Sequence, residues 1–135
     1  MIDDASRMLL VALEEDSPSG EVTLRAMLQA YTYGHIKQCI SDHGSQFTSN
    51  NDGESKFVAL LDAHGTQQIL ARIKHPQTNG KVEKWFDTYE NLRDAFTTLK
   101  DFLDWYNNIR PHRSLNWAVL ETPSQAFERK KKAEV

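Results

Sequence analysis

Two carboxylates stand where this sequence could use them for chemistry. Asp42 lies in Cys39-Ile40-Ser41-Asp42-His43-Gly44-Ser45-Gln46-Phe47, where a short apolar run gives way to a glycine and small polar residues. Glu83 lies in His75-Pro76-Gln77-Thr78-Asn79-Gly80-Lys81-Val82-Glu83-Lys84, in the first turn of a helix opened by a glycine-containing loop. Each has an ordinary explanation: Asp and Gly are common turn formers, and the helix dipole favours an acidic side chain in a first turn. As a pair they permit more. A carboxylate at a strand end and another on the first turn of a helix can converge on hard cations, which take oxygen ligands. Two such ions a few ångströms apart would activate a water or hydroxyl and stabilise the leaving oxygen in phosphoryl transfer.

The elements that would have to hold these residues can be read along the chain. Met8-Leu9-Leu10-Val11-Ala12-Leu13, entered through Asp3-Asp4-Ala5-Ser6-Arg7, reads as a buried strand, with Met1-Ile2 ending the strand before it. Ser17-Pro18 predicts the start of a helix that runs to about Tyr33 and stops at Gly34. A strand from His35 to Ser41 follows, and Asp42 stands at its carboxyl end, where open α/β sheets gather ligands and metals. Asp52-Gly53 opens a second helix carrying Phe57, Leu60 and Leu61, which Gly65 closes before a short strand from Gln67 to Ala71. After a polar loop from Arg72 to Asn79, three helices are expected: one from about Gly80, one capped by Thr97 or Thr98 and ended at Arg110-Pro111, and one begun by Thr122-Pro123. Alternation followed by helices implies an α/β domain with helices packed on a small sheet.

Composition sets the outer limits. A chain of 135 residues with 39% hydrophobic and 26% charged residues can bury a modest core. Its longest apolar runs are only a few residues, and its N-terminus lacks the order of a secretory signal, so the expectation is a cytoplasmic protein with no membrane partner. The single Cys39 excludes an internal disulfide and a multi-cysteine zinc site, and reads as a small core residue. His35, His64 and His112 have no metal-ligand spacing. Net charge is −3, unevenly spread: residues 1–70 hold 4 Lys and Arg against 10 Asp and Glu, and residues 71–135 hold 12 against 9. A polyanion should therefore meet the second half, although Arg129-Lys130-Lys131-Lys132 by itself reads as a solubilising face.

Four motifs occur together and in order: SDHGSQFTS, HPQTNGKVEKWF, WYNNIRPHRSLN and ETPSQAF. With them the chain resembles the catalytic core of DDE insertion-sequence transposases in the retroviral-integrase superfamily, over residues 1 to about 130. The resemblance implies an RNase H-like fold, a mixed sheet flanked by helices, with residues 1–120 as catalytic core and 121–135 as a C-terminal helix and basic tail. It implies three acidic residues that bind Mg2+ or Mn2+ and serve DNA cleavage and strand transfer without a covalent enzyme intermediate. Asp42 matches the second acid and Glu83 the third, with 40 residues between them. Gln77, Thr78 and Asn79 match a loop that approaches DNA, and Lys81 and Lys84 stand beside Glu83 where they could touch phosphates. The partners implied are transposon-end and target DNA and further copies of the chain in a synaptic complex. His43 replaces the more frequent Asn and reads as a turn residue tolerant of left-handed geometry.

Asp3 and Asp4 match a turn of the family and not its first catalytic Asp, which lies on the opening strand upstream. The expectation is thus a core that lacks the first, central strand and most of the second, active only when that segment is supplied. The alternative is an inactive remnant that at most binds DNA or a partner subunit, and a metal phosphatase or nuclease is disfavoured by the RPHRSLN and TPSQAF motifs. Trp85, Phe86, Trp105 and Tyr106 read as packing residues, with Arg110 and Arg113 as surface partners of phosphates or carboxylates.

Overall fold

The computed structural model describes residues 1–17, 19–48, 55–71 and 80–134, and the chain divides into two units, Leu13–Gly80 and Met1–Ala12 together with Lys81–Val135. In the first unit, helix α1 (Gly20–Tyr31) begins at Ser19, whose extended backbone lets its hydroxyl accept the Val22 N–H at 3.2 Å. The cap is thus two residues beyond the expected Ser17; residue 18 lies outside the described residues. The helix ends at Tyr31, and Gly34 follows with a φ of +133°, a backbone that L side chains rarely adopt.

Strand β1 (Gln38–Ser41) pairs in parallel with β2 (Gln67–Leu70), Gln38 opposite Gln67 and Ser41 opposite Leu70. The strand expected from His35 contracts to four residues because β2 offers only four partners after the Gly65-Thr66 turn, where Gly65 has a φ of +66°. Helix α2 (Lys56–Ala63) makes the crossover that a parallel pair requires. It is capped by Ser55, which accepts the Val58 N–H; the start expected at Asp52-Gly53 lies outside the described residues. Met27, Phe57 and Leu61 form the buried centre of this unit, with Leu24, Tyr31, Ile36 and Cys39 packed around it. Cys39, read as a core residue, is half-buried and packs against this centre instead of joining it, and burial pushes its thiol above its ordinary pKa.

In the second unit the run from Met8 to Leu13 is not a strand, which corrects the sequence reading. Ile2 and Leu9 form a single antiparallel bridge around a turn in which Asp3 Oδ2 accepts both the N–H and the hydroxyl of Ser6. Asp3 is therefore a turn residue, as expected, and Arg7 takes a positive φ of 64° to complete the reversal. The buried Leu9 backbone finds a side chain in place of a strand: Asn107 Nδ2 donates to Leu9 O at 3.0 Å, and Leu9 N donates to Asn107 Oδ1 at 2.9 Å.

Helix α3 (Gly80–Leu92) begins as expected, and α4 (Leu99–Asn108) is capped by Thr98, which accepts the Asp101 N–H. Helix α5 (Pro123–Ala133) carries a full capping box, Thr122 and Gln125 each satisfying the other's backbone amide. Leu9, Trp85, Phe102 and Tyr106 are the buried centre, with Tyr89, Phe96 and Trp105 around them. The aromatics of the WYNN motif and Trp85 are packing residues, whereas Phe86 is half exposed and touches the Trp85 ring only by its edge. The α/β character is as read; among the described residues the sheet is one parallel pair.

Candidate functional site

Asp42 follows β1 directly, at the carboxyl end of the parallel pair, and its side chain is exposed. Its Oδ1 accepts the Gly44 N–H at 2.8 Å, closing an Asx turn, and Phe47 N donates to Gly44 O three residues on. A Cβ at Gly44 would stand 2.9 Å from Asp42 Oδ1 and 2.8 Å from Gln46 Oε1, so the glycine is what lets the carboxylate lie over the turn. The reading of Asp42 as a turn residue at a strand end therefore holds. The turn leaves Oδ2 outside its own hydrogen bonding.

His43 does not adopt the left-handed backbone expected of it; Arg7 and Leu120 are the non-glycine residues with positive φ among the described residues. Its Nε2 lies 2.8 Å from Ala71 O, just past β2. Since a carbonyl only accepts, Nε2 carries a proton. The buried Ser41 hydroxyl donates to Asp42 O at 3.2 Å and accepts from Gln68 Nε2 at 3.0 Å, while the same Gln68 amide donates to Phe47 O at 2.6 Å.

Glu83 and Lys84 are exposed on α3 because Trp85 and Tyr89, one turn apart, take the face that packs on Phe102. Lys81 is half buried and forms an ion pair with Asp4, its Nζ also donating to the Asp4 carbonyl. The candidate DNA contacts Gln77 and Asn79, with Thr78, lie outside the described residues. Asp42 belongs to the Leu13–Gly80 unit and Glu83 to the other. As a donor set, exposed carboxylates suit a hard cation. Among the described residues no group of three or more His, Cys, Asp or Glu could hold a metal ion by itself.

The family of integrase core domains matches residues 64–119. The chain is also 27% identical over 128 residues to a protein of insertion element IS476 from Xanthomonas euvesicatoria, a match that takes in 84% of this chain and 35% of that protein. Over residues 64–119 it is similar to the integrase cores. A similar likeness, 27% over 99 residues, links it to a protein named "Putative integrase ORF3" of Spiroplasma virus SpV1-C74, covering 61% of this chain and 27% of that one. An Archaeoglobus fulgidus protein without a functional name is 26% identical over 97 residues, 72% of this chain and 78% of its own. The chain thus spans about a third of the insertion-element relative it matches.

The integrase-core match includes Lys81, Glu83 and Lys84 and ends two residues before a carboxylate that sequence reasoning passed over. Glu121 is buried, takes the Arg129 guanidinium on both oxygens at 2.8 and 3.1 Å, and accepts the Asn116 N–H. Arg129 holds its carboxyl below the usual range, with the Asn116 amide assisting. The pair ties the 111–121 loop to α5. Arg110 and Arg113 lie over aromatic rings, Arg110 over Trp105 and Tyr106, Arg113 over the half-exposed Trp117. Lys130 donates to Ala5 O and Lys131 lies over the Phe127 ring, so two lysines of the basic run have structural contacts besides their charge. Among the described residues no helix is long and apolar enough to cross a membrane.

Proposed function

We propose that this integrase-related chain is part of a DDE-class DNA-recombining nucleotidyltransferase with an RNase H-like fold, in which Asp42 and Glu83 are two of three metal-binding carboxylates. The observation that carries the reading is Asp42: an exposed carboxylate at the carboxyl end of a strand in a parallel pair, held by an Asx turn, inside one of four collinear motifs of that class. Mg2+ or Mn2+, when bound, would neutralise phosphate charge and supply an activated water or 3′-hydroxyl for attack on a phosphodiester. Asp42 and Glu83 fit such an ion in kind, as oxygen donors, and the third carboxylate of the class is assigned to no residue described above.

The chain's own residues have the remaining roles. Lys81 and Lys84 would meet DNA phosphates beside Glu83, Gln77 and Asn79 would approach the DNA from the preceding loop, and residues 121–135 would add a helix and basic tail to a 1–120 core. The substrate is DNA, both transposon end and target, and the working form is a homo-oligomer on DNA.

The test is Mn2+ titration of the chain followed by electron paramagnetic resonance, beside metal-dependent strand transfer on terminal-repeat DNA by the chain supplied with a segment that carries the missing carboxylate. Asp42→Asn and Glu83→Gln are each expected to weaken Mn2+ binding and to abolish strand transfer. Wild-type Mn2+ affinity and strand transfer in both variants would overturn the assignment.

A further inference from the structure

Asp42 is exposed, and the hydrogen bonds of its own turn are local: Gly44 N to Asp42 Oδ1, Phe47 N to Gly44 O. Such a turn closes on itself and could swing as a unit about Ser41. Two side chains prevent this by reaching across to β2 and its end. The Gln68 amide group spends one N–H on Ser41 Oγ, immediately before Asp42, and the other on Phe47 O, five residues after it. His43, immediately after Asp42, donates from Nε2 to Ala71 O.

We infer that Gln68 and His43 are the positioning residues of Asp42: they clamp its turn to β2 at three points and so fix the direction in which the carboxylate is presented. The inference rests on the metal-binding reading of Asp42. The assignment of atoms is forced by chemistry. Phe47 O and Ala71 O only accept, so Gln68 must present its nitrogen and His43 a protonated Nε2. The Ser41 proton goes to Asp42 O, which leaves its oxygen to accept from Gln68. Neither side chain adds to the buried centre of this unit, which Met27, Phe57 and Leu61 form.

Three variants separate the clamp from general stability. Gln68→Glu keeps the shape and removes both donors; His43→Leu removes the donor; His43→Gln keeps an N–H of similar reach. The direct readout is hydrogen exchange of the Gly44 amide, which reports the bond to Asp42 Oδ1, alongside Mn2+ affinity by paramagnetic resonance and the thermal midpoint. Gln68→Glu and His43→Leu are expected to speed Gly44 exchange and weaken Mn2+ binding by roughly 2- to 10-fold, the factor that one ordinary hydrogen bond commands. The thermal midpoint should stay within a few degrees of wild type, and His43→Gln should behave as wild type. Unchanged Gly44 exchange and Mn2+ affinity in both disrupting variants, with Asp42→Asn still weakening Mn2+ binding, would overturn the clamp and leave the metal reading intact. If Asp42→Asn binds Mn2+ normally, the metal reading fails instead, and Gly44 exchange alone decides whether the clamp exists. Should Gln68→Glu not fold, the His43→Leu and His43→Gln pair decides it.

Discussion

Asn107 gives Leu9 the pair of hydrogen bonds that a neighbouring strand would give, Nδ2 to Leu9 O at 3.0 Å and Leu9 N to Oδ1 at 2.9 Å, across 98 residues of sequence. Both residues are buried, so neither backbone group can turn to water once the amide is gone. Asn107→Leu is therefore expected to destabilise the fold by about 2–6 kcal/mol, two unsatisfied buried groups at ~1–3 kcal/mol each. Asn107→Asp, which removes only the donor, should fall between that variant and wild type. Urea unfolding followed by tryptophan fluorescence measures both.

The Glu121–Arg129 pair predicts a pH dependence whose sign follows from the lowered carboxyl. Because the folded pKa lies below the unfolded one, about 4.3 for a free glutamate, the unfolded chain binds the proton first as pH falls. The stabilisation is complete above the unfolded value and is lost as pH drops through the folded one. Arg129→Met should lower the thermal midpoint at neutral pH and flatten this part of the acid transition. Thermal melts of both proteins between pH 7 and pH 2 supply the comparison.

Lys81 spends its charge on Asp4. If Lys81 also meets DNA, the phosphate must compete with that carboxylate. Asp4→Asn should then tighten duplex DNA binding and Lys81→Ala should weaken it, with the slope of log affinity against log salt falling by about 1 in the alanine variant. Fluorescence anisotropy at several salt concentrations provides the values, and equal affinity and slope in all three proteins would count against Lys81 as a phosphate contact.

Gly44 tests whether the direction of Asp42 matters apart from stability. The atoms a new methyl would meet, Asp42 Oδ1 and the Gln46 amide, are ends of side chains that can move. Gly44→Ala should therefore cost little stability, about 1 kcal/mol or less, while turning the Asp42 carboxylate away from its place. Unfolding in urea should show a near-native protein, and Mn2+ titration a weakened one.

Legibility in the sequence tracks the distance over which a signal acts. Thr98, Thr122 as a helix start and Gly65 were readable because a cap or a left-handed turn is decided within about four residues. The Asp42 turn was readable for the same reason, as was Asp3 as a turn acid. The run from Met8 to Leu13 misled because an apolar hexamer implies burial but does not name its partner, and the partner is a side-chain amide on α4. Glu121 was invisible because a glutamate before Thr-Pro carries no mark of its own; an arginine eight residues later, two turns along α5, was the available hint. His43 was given a backbone role when its actual one, reaching Ala71, depends on a strand pairing 28 residues away.

The amide that completes Leu9 also sets a clock on the making of the protein. On a ribosome adding about 5–20 residues per second, the Leu9 backbone waits roughly 5–20 s for residue 107 to be synthesised. The unit between them, Leu13–Gly80, is all made before that. For that interval the Ile2–Leu9 turn has its apolar residues and peptide groups without their eventual partner. A chaperone or a protease would have access to it throughout that wait.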